Sequence, residues 1–189
     1  PEQFNTKEIR YLSEEEITRF KNAATATWGN GKPIYPLGHA MILTLNTGVR
    51  VGEALAWRWS DYDEAGGIIH TNGTLVRVRV RTEGERRWKQ QFQTTKTKNG
   101  KRSIPVNAAA KAALNELKKT RYFGEDSPIL AQADGTFNTI DNFTRTFEAI
   151  LKRANIRPCG IHTLRHTFAT QLIAKNTDVK IVSSLLGHS

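Results

Sequence analysis

From Thr74 to Arg81 the side chains alternate without a break: Val76, Val78 and Val80 on one side, Arg77, Arg79 and Arg81 on the other. A repeat of two residues fits only an extended strand, because successive side chains of a strand point to opposite faces. The segment therefore reads as a half-buried strand with an arginine face. Its surroundings extend the pattern. Gly66-Gly67 is a turn, Ile68-Ile69-His70 a short first strand, and Trp88 to Thr95 a further strand. Asn99-Gly100 is a hairpin signal leading into a return strand, Lys101 to Val106.

On both sides of this block the apolar period becomes helical. Ser13 with Glu16 forms a capping box for a helix reaching about Ala26. Further helices are expected over Tyr35–Asn46 and Val51–Ala56. After the strands come Ala108–Thr120 behind the cap Asn107, Thr139–Asn155, Thr163–Ala174, and Asp178–Leu186 ended by Gly187. The fold class that follows is α+β, mainly helical, with helices around a small three-stranded antiparallel sheet. Residues 1–10 are polar and read as a linker, and residues 11–189 as one domain. No run approaches the roughly 20 apolar residues of a membrane span. A single cysteine, Cys159, excludes an internal disulfide and reads as an idle thiol.

Charge narrows the function. The 189 residues carry 28 Lys+Arg against 18 Asp+Glu, a net charge of +10. Ten of the basic residues lie between positions 77 and 102, opposed only by Glu83 and Glu85. Such a concentration favours a phosphate-binding surface over an ordinary solvated face. The candidate DNA contacts are Arg77, Arg79, Arg81, Arg86, Arg87, Lys89, Lys98, Lys101 and Arg102.

Four groups could carry chemistry. In Thr47-Gly48-Val49-Arg50-Val51-Gly52-Glu53, two glycines bracket an arginine at a helix start, where backbone N–H groups favour an anion. Glu53 is placed to hold Arg50 or a neighbour. The cationic hairpin Thr95–Arg102 offers Lys96 or Lys98, lysine being suited to proton transfer when partly desolvated. His162 and Arg165 stand three apart, off the stripe of Ile161, Leu164, Phe168 and Leu172, and are expected on one exposed helical face. His188 lies just beyond a helix C-terminus, where the dipole favours a protonated imidazole.

Together the stretches TGVRVGEAL, TKTKNGKRSIPV, HTLRHTFAT and LLGHS, with the opening RYLSEEEI, resemble the catalytic domain of the tyrosine recombinases. These are the phage- and transposon-type integrases, and the resemblance covers essentially the whole chain. The wording is closer to mobile-element integrases than to chromosome-dimer resolvases. The resemblance implies the DNA breaking-rejoining catalytic fold. It also implies attack by a tyrosine on a DNA phosphodiester, through a 3′-phosphotyrosine intermediate, without metal or nucleotide cofactor.

Carried over, Arg50 and Arg165 clamp the scissile phosphate, and Lys96 protonates the leaving 5′-oxygen. His162 assists at the nucleophile, His188 donates to a phosphate oxygen, and Glu53 supports the site. Lys98, two residues on, stays open as the alternative to Lys96. The resemblance puts the nucleophile a short helix beyond LLGHS, whereas Tyr11, Tyr35, Tyr62 and Tyr122 all precede His162. The expectation is thus a phosphate cradle without its tyrosine, inactive alone. It also lacks the preceding core-binding domain and the C-terminal tail, and is mostly monomeric where the family acts as a tetramer on paired DNA sites. The implied setting is bacterial, cytoplasmic and nucleoid-associated. A type IB topoisomerase-like enzyme and a non-catalytic DNA-binding regulator remain the alternatives.

Overall fold

The computed structural model describes residues 10–82, 85–94 and 101–187. The first helix, α1 (Glu14–Ala24), starts as its capping box requires. The Ser13 hydroxyl accepts from the Glu16 N–H at 3.2 Å, and the Glu16 carboxylate accepts from the Ser13 N–H at 2.9 Å. α1 packs Phe20 against Phe147 of α5 (Ile140–Arg153), with ring centroids 5.8 Å apart.

Helix α2 (Gly38–Thr47) is apolar nearly all round and is the central rod of the core. Ala40, Met41, Leu43 and Leu45 are fully buried. It begins later than Tyr35 because Pro36 disfavours helical backbone in the residue before it. Gly48 then ends it in the left-handed conformation at φ 63°. No other residue suits the site, since a Cβ there would lie 2.2 Å from the Phe168 ring. The other α-helices among the described residues are α3 (Val51–Ala56), α4 (Ala108–Arg121), α6 (Thr163–Ala174) and α7 (Val179–Leu186). Asn107 and Asp178 cap α4 and α7 through their side chains. Burial of Phe143, Phe147 and Ile150 along one side of α5 contributes about 2–3 kcal/mol per side chain as an upper estimate. Among the described residues no helix is long and apolar enough to cross a membrane.

The strands divide in a way the sequence does not announce. A three-stranded antiparallel sheet forms in the order β1 (Tyr62–Asp63), β2 (Ile68–Thr71), β5 (Arg102–Pro105). Among the described residues, β3 (Gly73–Thr82) and β4 (Glu85–Thr94) pair only with each other, as a ten-residue antiparallel ribbon. The return strand β5 therefore joins β2, not the strand around Trp88. The reason is apolar register: Ile69 stands opposite Ile104, both essentially inaccessible, whereas β4 past Trp88 is mostly exposed. Tyr62–Asp63 is too short for its sequence to carry a period. In β3 the alternation appears as read, with Val76, Val78 and Val80 half-buried and Arg77 and Arg79 exposed.

Candidate active site

Four charged side chains from three elements, Arg50 and Glu53 at the start of α3, Arg102 of β5 and Arg165 of α6, converge beside the end of α7. Arg50 precedes α3 and is the exposed member, its side chain 46% accessible. Its backbone N–H donates to Glu53 Oε2 at 3.0 Å, so the carboxylate caps the helix in reverse, and Arg50 Nη1 lies 3.3 Å from Oε1. Gly52 allows this turn to sit against the ribbon, because a Cβ there would meet the Leu75 carbonyl oxygen at 2.4 Å.

Glu53 is 5% accessible and holds a second partner more tightly. Arg102 Nη1 and Nη2 donate to Oε1 and Oε2 at 3.0 and 2.8 Å, the parallel two-bond geometry a guanidinium makes with a carboxylate. Burial pushes the Glu53 carboxyl up. The hydrogen bond and charge of Arg102, then the Arg50 N–H and charge, outweigh it, so Glu53 stays below the ordinary carboxylate range. Arg102 is the main correction to the expected DNA surface. It turns inward from the first position of β5 and is nearly buried, so it is not on the exposed cationic face.

Arg165 is the second correction. Its spacing from His162 suggested an exposed face, yet it is 7% accessible. Nη1 donates to the Gly48 carbonyl at 3.0 Å and Nη2 to the Leu186 carbonyl at 2.7 Å. One guanidinium thus staples the C-terminal ends of α2 and α7, whose last carbonyls have no partner inside their own helices. No ion pair to Arg165 occurs among the described residues. Burial first, then the charges of Arg50 and Arg102 against the opposing one of Glu53, lower its pKa to about 10. His162 stands outside the helix as its N-cap residue and is exposed, so only this member of the pair faces solvent. His166 is held below its ordinary value by burial and by the charges of His162 and Arg165.

The remaining expectations divide. Lys89 and Lys101 are exposed, as are Arg77 and Arg79. The latter two stack their guanidiniums over exposed Trp88, at 5.0 and 5.1 Å from the ring centroid. Gln90 ties the ribbon base to the start of α5, donating to Asn138 O at 2.7 Å and accepting from Ile140 N–H at 3.2 Å. Arg77 reaches Asp141 at 2.8 Å. Lys96, Lys98 and His188 lie outside the described residues, as do the side chains of Arg81, Arg86 and Arg87. The cluster therefore holds three guanidiniums and one carboxylate around a partly open edge at Arg50. Its chemical capacity is to bind an anion and to stabilise added negative charge on it.

Comparison with known proteins gives a consistent set. The sequence profile of the phage integrase family matches residues 10–189. A tyrosine recombinase XerC-like protein of Caldanaerobacter subterraneus subsp. tengcongensis is 30% identical over 202 residues, taking in 100% of this chain and 50% of that protein. An integrase of Staphylococcus phage L54a is 28% identical over 151 residues, covering 75% of this chain and 41% of that one. Among solved structures, the Tn1549 transposon integrase in complex with circular intermediate DNA is similar with a TM-score of 0.79 at 22% identity, over 98% of this chain and 61% of that one. The XerA recombinase gives 0.73 at 22% identity, over 100% and 58%. The chain spans about half the length of the curated relatives it matches.

Proposed function

This chain belongs to the phage integrase family, and from that premise we propose that it is the catalytic domain of a site-specific recombinase that cuts and rejoins duplex DNA. The observation that carries the reading is Arg165: a buried guanidinium with no acidic partner among the described residues, next to two more that share Glu53. Burying cations in such excess is unfavourable unless an anion arrives. A DNA phosphodiester has the right charge and the fork-shaped acceptor geometry.

In this reading Arg50 and Arg165 hold the scissile phosphate. They donate more strongly as negative charge grows on its non-bridging oxygens in the transition state. A tyrosine oxygen forms a bond to phosphorus while the bond to the 5′-oxygen breaks. Lys96, or Lys98 two residues on, gives its proton to that leaving oxygen. His162 serves proton transfer at the nucleophile, and His188 donates to a phosphate oxygen. Reversal by a different 5′-hydroxyl rejoins the strand. The attacking tyrosine is assigned to the segment that follows LLGHS in the family, since Tyr11, Tyr35, Tyr62 and Tyr122 all precede His162. The exposed Arg77, Arg79, Lys89 and Lys101 contact backbone phosphates outside the reacting one. The motif wording supports integration and excision of a mobile element as the outcome, with copies assembling on paired sites.

The test uses the full-length protein on a nicked duplex that traps the covalent product. Arg50→Ala and Arg165→Ala are expected to lower single-turnover cleavage roughly 100- to 1000-fold, the usual loss for one transition-state donor. Duplex affinity should fall far less. Cleavage near the wild-type rate in both variants would overturn the reading.

A further inference from the structure

Among the described arginine side chains of the cationic segment, one points away from solvent, and its bonds tie together parts of the site that are distant in sequence. Arg102 opens β5, directly after the hairpin segment. Its two terminal nitrogens occupy Glu53, and its Nε donates to the Leu185 carbonyl at 3.0 Å, at the end of α7. The left-handed Gly187 lies against the same guanidinium, for a Cβ there would be 2.9 Å from Nη1.

Glu53, in turn, is saturated. Oε1 accepts from Arg50 Nη1 and Arg102 Nη1, and Oε2 from the Arg50 N–H and Arg102 Nη2. Neither oxygen can follow Arg50 outward without giving up Arg102. The last two carbonyls of α7 are divided between the cluster's buried arginines, Leu185 O to Arg102 and Leu186 O to Arg165. A fork held at three points fixes distance and angle together, which a lysine ammonium does not do.

We propose that Arg102 is a positioning residue that sets where the end of α7 stands relative to Arg50 and Arg165. It is not assigned to the reacting phosphate, because Glu53 answers its charge and all three of its nitrogens are bonded, to Glu53 and Leu185, whereas Arg165 has no carboxylate partner among the described residues. It acts by keeping two separately built halves of the cradle in register. On one side is the α3 start with Arg50 and Glu53; on the other is the α7 terminus. This role rests on the recombinase reading above.

The full-length protein tests it with Arg102→Met and Arg102→Lys, measured beside Arg50→Ala. Three quantities are compared: duplex affinity, single-turnover cleavage, and hydrogen–deuterium exchange at residues 183–187. Arg102→Met should leave affinity within about threefold, slow cleavage on the order of 100-fold, as displacement of reacting groups does, and raise exchange in the last turn of α7. Arg102→Lys should recover part of the rate, because it restores charge at Glu53 but not the bond to Leu185. If Arg102→Met does not fold, Arg102→Lys decides. Cleavage down about tenfold with a cooperative melt supports the role; cleavage within about threefold overturns it.

Parallel loss of affinity and cleavage, with exchange raised throughout the core, also overturns it, since that is what general destabilisation produces. If Arg50→Ala cleaves normally, the recombinase reading has failed. If Arg50→Ala is inactive and both Arg102 variants cleave normally, only the positioning role has failed.

Discussion

The molecule uses arginine in two places under opposite conditions. In the cluster, Arg102 and Arg165 are withdrawn from water and held by a carboxylate and by helix-end carbonyls. On the β3–β4 ribbon, Arg77 and Arg79 lie in the open and rest on Trp88, which is itself 56% exposed. Away from bulk water a guanidinium acts at low effective dielectric, so its position decides what it does. In the open its charge is screened within roughly 10 Å, and only the sum of many such charges matters. In the recombinase reading proposed above, the contrast separates a part that places one phosphate from a part that holds many loosely.

The largest effect expected from breaking this contrast is at Glu53. Glu53→Gln leaves Arg102 buried without its counter-charge and should destabilise the domain by about 3–5 kcal/mol, read as a lower urea midpoint. The pH dependence gives the sign. Glu53 is held below its ordinary range, so its contribution is complete above that range and is lost as pH falls through the lowered value. The difference between wild type and Glu53→Gln should therefore narrow in acid. A constant difference from neutral pH down through the acid range would remove Glu53 from the account.

The ribbon should behave otherwise. Arg77→Ala combined with Arg79→Ala should shift the melt by less than about 1 kcal/mol, since exposed cations contribute little to stability. Duplex affinity should fall, and the slope of log affinity against log salt should become shallower by about 1 for each phosphate that the ribbon no longer neutralises. An unchanged slope would mean the ribbon does not meet DNA. The smallest effect belongs to Asp141→Asn, which removes the exposed ion pair with Arg77. It should alter stability by no more than about 0.5 kcal/mol and leave cleavage unchanged. A larger effect would show that the ribbon's attachment to α5 is part of the site.

What sequence could reveal divides along the same line. Local devices were legible because their partners are a few residues apart: the Ser13–Glu16 box, the Asn107 and Asp178 caps, Gly187 as a helix end, and the two-residue period of β3. Arg50 and Glu53 were legible as a pair for the same reason. The inward turn of Arg102 was not, because its acceptor lies 49 positions away and its sequence context is a cationic hairpin. Arg165 was identified by its motif, but its burial is decided by the carbonyls of Gly48 and Leu186, which no helical wheel contains. The β2–β5 pairing likewise depends on Ile69 meeting Ile104 across the intervening ribbon.

The staple at Arg165 also has a consequence in time. Its hydrogen bonds join position 165 to position 48, 117 residues earlier, and to position 186, 21 residues later. Closing a loop of that length precedes any gain from the bonds it allows. During synthesis, a chain that has not yet delivered residue 186 to the folding domain cannot complete the staple, however well its first helices have formed. The order of translation thereby delays the finished arginine cluster until residue 186 has emerged.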